Sequence, residues 1–250
     1  MTLPGSVRNS GTLLRAVSVP NSSALVSEQV FRTLLDAVLG GQYAPGEKLP
    51  GQRALARDLG VTLTSLREAL KRLEQMGLVE VRHGDAMRVR PWREAGGLDV
   101  LAHVLFRAGG LDREVLADIL EARTLMLREL AGLAATRIRP EQAAQLAGLA
   151  EAFASTGDDP VAAAMVDFAF FTEVARAADN VVFDLILNAI RDLYLVRPGA
   201  VPVTADPSDL AGAYTELADA IGAGEAGRAR QLTIDLAAAQ ARRAMEALGP

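Results

Sequence analysis

Residues 52–71, QRALARDLGVTLTSLREALK, leave few folds open. Leu55, Leu59, Val61 and Leu66 recur at the spacing of two short amphipathic helices, and Gly60 interrupts them. Ala56 puts a small side chain where two such helices cross closely. Gly60 supplies the positive φ that a tight turn requires. The spacing predicts helices over about 51–59 and 63–76, ended by Gly60 and Gly77. This is a helix-turn-helix pattern. Its second helix keeps a polar outward set: Thr62, Thr64, Ser65 and Arg67 on the first turn, with Lys71 and Arg72 further along. Hydroxyls and a guanidinium at the start of such a helix suit phosphates and base edges in a DNA major groove.

The flanking residues extend the unit. Leu25, Val30, Leu34, Leu35 and Val38 predict a helix over about 24–40, capped by Ser22 or Ser23 and ended by Gly40-Gly41. Residues 43–50, YAPGEKLP, read as a loop. Leu78–Arg82 and Ala86–Arg90 alternate around His83-Gly84-Asp85, so a small β-hairpin is expected before Pro91. Arg82, His83, Arg88 and Arg90 crowd that hairpin as a wing. Residues 1–94 hold 13 Lys+Arg against 9 Asp+Glu, a surplus of +4, while the whole chain carries −5. A basic first part on an acidic body fits a polyanionic partner for the first part alone.

Beyond Pro91 no further strand is expected. Helical periodicity covers about 97–107, 112–136, 140–155, 160–178, 181–196, 207–222 and 225–247. Asp158 or Asp159 ahead of Pro160 has the form of an N-cap followed by Pro at the first helical position. The expected fold is mainly α: an N-terminal winged helix-turn-helix with a small β-hairpin, and a C-terminal all-α helical bundle. The expected domains are a flexible tail at 1–23, the winged unit at 24–91, a linker at 92–96 and the bundle at 97–250.

Composition removes several chemistries. The chain has no Cys, which excludes a thiolate nucleophile and a Cys-ligated zinc. It has two His, His83 and His103, so a His-rich metal site is excluded within one chain. No nucleophile–base pair or phosphate loop is legible, and an enzyme is not expected. Gly222-Ala-Gly-Glu-Ala-Gly227 matches GxGxxG, but a helix precedes it and no strand is near, so it reads as a helix–helix turn. Residues 41–48 lack P-loop spacing. His103 among Leu101, Val104 and Leu105 reads as a packed histidine. No apolar run approaches a membrane span, and no compact apolar leader is present near Arg8 and Arg15. A cytoplasmic protein is expected.

Several strings also resemble a known family. Residues 45–50 (PGEKLP), Arg53, residues 60–70 (GVTLTSLREAL), Arg72-Leu73, Gly77-Leu78-Val79 and His83-Gly84 are similar to the winged helix-turn-helix of GntR-type bacterial transcription regulators. Residues 92–98 (WREAGGL), Glu121-Ala-Arg-Thr124, Asp179-Asn180 and residues 185–194 (LILNAIRDLY) resemble the FadR subgroup, its fatty-acid-responsive branch. The resemblance implies a homodimer on a palindromic double-stranded DNA operator. Arg53, Thr62, Thr64, Ser65, Arg67, His83 and Gly84 would contact DNA. Leu63 stands where the family usually has Arg, which changes the expected half-site.

The resemblance further implies an effector in the helical bundle, a long-chain acyl-CoA or a related metabolite, with Arg123 and Tyr194 at the matched ligand positions. For Arg123 an ion pair with Glu121, Glu129 or Asp167 is the alternative to an effector contact; for Tyr194 it is a packed core tyrosine. Many relatives bind a divalent metal through one Asp and three His. Here Asp167 holds the Asp position, while Phe171, Tyr214 and Leu236 hold the others, so no metal cofactor is expected. A small carboxylate effector, or a constitutive DNA binder without one, are the other readings of the same fold.

Overall fold

The computed structural model describes residues 23–81, 87–107, 110–195 and 207–249. The chain divides into two compact units, Met1–Val100 and Leu101–Pro250. The expected tail lies outside the described residues, apart from Ser23, which opens the first helix.

In the first unit α1 spans Ser23–Leu39 and buries Val30, Phe31, Leu34, Leu35 and Val38, a helical stripe. The stripe packs on α3, Leu63–Gln75. Between them in sequence, α2 covers Gln52–Leu59. Gly60 ends it in the left-handed region at φ 69°, and the Val61 N–H donates to the Ala56 carbonyl at 2.9 Å. Leu55, Leu59, Leu66, Leu70 and Leu73 close the core of the pair. β1, Val79–Glu80, pairs antiparallel with β2, Arg88–Val89, in the register Val79 to Val89 and Glu80 to Arg88. The ladder is shorter than the alternation suggested, and residues 82–86, among them the expected turn His83-Gly84-Asp85, lie outside the described residues. Residues 92–96, expected as a linker, carry a helical turn, α4, Trp92–Ala95.

The second unit differs from expectation at its start. Residues 97–107 do not form one helix. A 3₁₀ turn at Leu98–Val100 precedes α5, Leu101–Leu105, and the chain then turns extended. β3, Phe106–Arg107, pairs with β4, Gly110–Leu111, so the expectation of no strand after Pro91 is corrected. Gly110 at φ 113° cannot continue a helix. The reversal also places Asp112, whose N–H donates to the Leu105 carbonyl at 2.8 Å, as the N-cap of the next helix.

That helix, α6, spans Arg113–Arg137, followed by α7 at Pro140–Ala154, α8 at Pro160–Ala178 and α9 at Val181–Leu195. A 3₁₀ turn at Pro207–Asp209 leads to α10, Ala211–Gly222, and α11, Ala226–Ala247. Asp159 caps α8, accepting from the Val161 and Ala162 N–H groups at 2.9 and 3.0 Å, with Pro160 at the first helical position. The GxGxxG segment is a helix–helix turn with Gly224 at φ 74°. α6 packs along α11 and α8, while α7 packs on α10 and α8. Leu127, Leu130, Leu146, Phe153, Phe170, Val174, Leu217 and Ile221 fill the centre. Fully buried alanines such as Ala131, Ala134, Ala163, Ala175 and Ala229 let the helix backbones approach closely. Among the described residues no helix is long and apolar enough to cross a membrane.

Candidate functional site

In the first unit the start of α3 is built by its cap. Thr62 Oγ1 accepts from the Ser65 N–H at 3.2 Å and lies 3.1 Å from Ser65 Oγ. Thr62, Thr64 and Arg67 are exposed on this turn, and Arg53 is exposed on α2. Ser65 is not outward: it is buried and serves the cap. Arg67 Nε donates to Gln52 Oε1 at 3.2 Å, which ties α3 to the start of α2 and steadies the guanidinium. The positive end of the helix dipole and the open N–H groups of the first turn add a further attraction for phosphate.

Arg72 departs from the sequence reading. Its guanidinium does not join the outward face; it lies 3.6 Å from the Phe31 ring centroid and pairs with Glu28 at 2.6 Å. Arg32 meets the other Glu28 oxygen at 2.7 Å. Burial works to raise the Glu28 pKa, but hydrogen bonds from Arg72 and Arg32, with their charges, outweigh it and hold the group below its ordinary value. Arg88 donates to the Gly46 carbonyl at 2.9 Å and so fastens β2 to the loop before α2. His83 and Gly84, the expected wing-tip contacts, and Arg82 lie outside the described residues.

In the second unit four helices bring together one buried polar network. Arg123 of α6 donates through Nη2 to both Asp167 oxygens at 3.0 Å and through Nη1 to Gln240 Oε1 at 2.7 Å. Gln240 Nε2 donates to Asp167 Oδ1 at 3.1 Å and to Tyr214 Oη at 2.9 Å. The Tyr214 hydroxyl donates to Asp167 Oδ1 at 2.5 Å. Arg123 is 8% exposed, Asp167 1%, and Gln240 and Tyr214 are fully buried. Of the three carboxylates weighed for Arg123, Asp167 is the partner; Glu129 instead meets Arg128 and Arg230. The partnership of Gln240 was not legible, because nothing in local sequence links positions 123, 167 and 240. The Tyr194 side chain lies outside the described residues.

The donor set does not fit the metal of the related sites. Both Asp167 oxygens accept from Arg123, and the other matched positions supply Phe171, Tyr214 and Leu236, none of them an imidazole. Among the described residues no three His, Asp or Glu side chains cluster for an ion.

An inner cavity of about 20 Å³ abuts this network, walled by Met126, Leu127, Phe168, Phe171, Leu187 and Ile190. A groove of about 220 Å³ opens between α8 and α9 and shares Phe168 and Leu187 with it.

A helix-turn-helix with a β-ladder beside it, in one chain with a helical unit holding a buried polar site, defines a DNA-binding transcription regulator with an effector domain. Residues 26–89 match the model of bacterial regulatory proteins of the gntR family, and residues 118–247 match the FCD domain. The chain belongs to the GntR family and carries an FCD effector-binding domain; this is a family of transcription regulators, not of enzymes. It is 40% identical over 222 residues to the HTH-type transcriptional regulator Mce2R of Mycobacterium tuberculosis, covering 87% of this chain and 90% of the relative. It is 31% identical over 189 residues to the fatty acid metabolism regulator protein of Pasteurella multocida, covering 75% and 73%. Among solved structures, Lar of Listeria monocytogenes superposes with a TM-score of 0.56 at 16% identity, covering 88% of this chain and 96% of that one, a likeness of fold.

Proposed function

We propose that this chain is a ligand-responsive regulator that binds a palindromic operator as a homodimer and is controlled by a fatty acyl-CoA or a related thioester in its helical unit. The observation that carries the effector reading is the neutrality of the inner site. Asp167 already balances the Arg123 charge, and the remaining cavity walls are apolar. A free carboxylate placed there would set two anions against one buried cation, whereas an acyl chain or thioester carbonyl adds no charge. This favours a thioester over a small carboxylate, and the fatty acid metabolism regulators among the relatives point the same way.

On the DNA side Arg53, Thr62, Thr64 and Arg67 form the proposed contact set, with Ser65 acting through the cap of Thr62 and His83 and Gly84 at the wing tip. The inner cavity holds about one water molecule, so an acyl chain enters only if α9 shifts away from α8. That shift is the two-state element: an effector that binds the opened bundle better changes operator affinity by population shift. A coupling of roughly 1–3 kcal/mol corresponds to about 5- to 150-fold regulation.

The test is a fluorescence-anisotropy titration of a labelled duplex from the protein's own upstream region, at fixed salt because phosphate contacts make affinity salt-dependent. Oleoyl-CoA is expected to change the affinity while free CoA leaves it unchanged. Tight specific binding that ignores oleoyl-CoA would discard the thioester effector and keep the DNA-binding regulator.

A further inference from the structure

Leu63 differs in chemistry from the surface it shares. It is the first residue of α3, and the outward residues that follow it, Thr64, Arg67, Glu68 and Lys71, are polar and exposed. Leu63 is half-buried and stands outside the buried set of α3, which is Ser65, Leu66, Ala69, Leu70 and Leu73. Side chains of an α-helix tilt toward its N-terminus, so one in the first position leans past the helix end, with no preceding turn to receive it. Its backbone is held in place. Thr62 Oγ1 accepts from the Ser65 N–H at 3.2 Å and lies 3.1 Å from Ser65 Oγ, which closes the cap around Leu63.

We propose that Leu63 is a specificity-determining residue that reads a thymine of the operator through its 5-methyl group. The argument is one of polarity. A leucine side chain neither donates nor accepts, so it makes no hydrogen bond to a base edge or a phosphate. Against a guanine, adenine or cytosine edge it would strip water from donors and acceptors and return nothing. The thymine methyl is the one apolar group that the four ordinary bases present in the major groove. Covering it with Leu63 removes two apolar surfaces from water at no polar cost. Arg67, one turn further along the helix, has the opposite preference, since a guanidinium suits a guanine edge. The two residues therefore select different bases, and Leu63 discriminates against G·C pairs at its own position. The inference rests on α3 entering the major groove, as the contact set above has it, and adds which base the first residue of α3 selects.

The test uses the full chain and the duplex it selects most tightly from a random-sequence library, with affinities read by fluorescence anisotropy at fixed salt. A second duplex carries deoxyuridine for every thymidine, which removes the methyl groups and keeps every hydrogen-bonding edge. Wild type is expected to bind the deoxyuridine duplex about 4-fold more weakly for each methyl group that Leu63 covers. Leu63→Ala is expected to lose that factor, and Leu63→Met, apolar and of similar size, to keep it. Should Leu63→Ala lose the fold, Leu63→Gln carries the same comparison. Leu63→Arg, put through the selection again, is expected to exchange a thymine for a guanine. A selected duplex without a thymine common to its sites, equal wild-type binding to the two duplexes, or a ratio in Leu63→Ala as large as that of wild type overturns the inference. Arg67→Ala on the same two duplexes separates it from the reading it rests on. If Arg67→Ala weakens both duplexes alike and wild type ignores the methyl groups, α3 remains the reading helix and only the role of Leu63 falls. If Arg67→Ala binds as wild type does and the methyl groups are ignored, α3 is not the reading helix and both fall.

Discussion

Asp167 and Arg123 hold opposite charges where almost no water reaches them, so neither tolerates the loss of the other. Asp167→Ala leaves the guanidinium in the core without its carboxylate, still donating to Gln240 Oε1, and should cost about 3–5 kcal/mol of stability. The joint change Arg123→Met with Asp167→Leu removes both charges and should cost much less, and urea midpoints of the single and double variants measure the difference. The network also shows where sequence reading stops. Asp167 and Arg123 each stood out, as a carboxylate and a cation inside apolar helices, and Asp167 was one of three candidate partners. Their pairing through Gln240 depends on how four helices pack, over separations of 44, 73 and 117 residues. On the DNA side Arg67 was legible from its place in the turn–helix pattern, and its tie to Gln52 was not. Arg67→Ala is expected to weaken operator binding by about 1–3 kcal/mol in anisotropy titrations, without lowering the stability of the fold.

At the scale of elements, α1 and α3 are joined by an apolar stripe and one ionic clasp, Arg72 and Arg32 around Glu28. The folded Glu28 pKa is depressed below its ordinary value of 4.5. Its contribution to stability is therefore present above pH about 4.5 and is lost as pH falls through the folded pKa. Wild type should thus exceed Glu28→Gln in urea resistance near neutrality, and the gap should close in acid; a gap independent of pH would mean that the clasp contributes only packing. Gly77 fixes the joint between α3 and β1. It sits at φ 71°, and a Cβ there would lie 2.3 Å from the Ala95 carbonyl oxygen. Gly77→Ala should destabilise the first unit by about 1–3 kcal/mol, read as a lowered midpoint of thermal unfolding. The helices were legible because long amphipathic stripes end in Gly, Asp or Pro with definite cap chemistry. The β3–β4 ladder was not: strands of two residues are too short to show alternation, and the apolar run 100–106 has the look of a helix. Arg72 misled for a related reason, since an arginine near the outer edge of a helix can lay its guanidinium over a neighbouring ring.

For the molecule as a whole, the charge surplus of residues 1–94 against the acidic remainder separates two tasks, polyanion binding in one unit and effector binding in the other. Two ligands acting on one protein are bound by linkage. If oleoyl-CoA weakens operator binding by a given factor, operator must weaken oleoyl-CoA binding by the same factor, whichever unit each occupies. The expected factor lies at about 5 to 150. Calorimetric titration of oleoyl-CoA into the free protein, and into protein saturated with operator duplex at the same salt, measures one side; anisotropy with and without saturating oleoyl-CoA measures the other. A factor well above one in both titrations shows that the operator and effector sites are coupled, as a shift of α9 on α8 requires. A factor of one in both titrations, with oleoyl-CoA still bound, would uncouple the two sites and remove the shift of α9 on α8 as the mechanism of regulation.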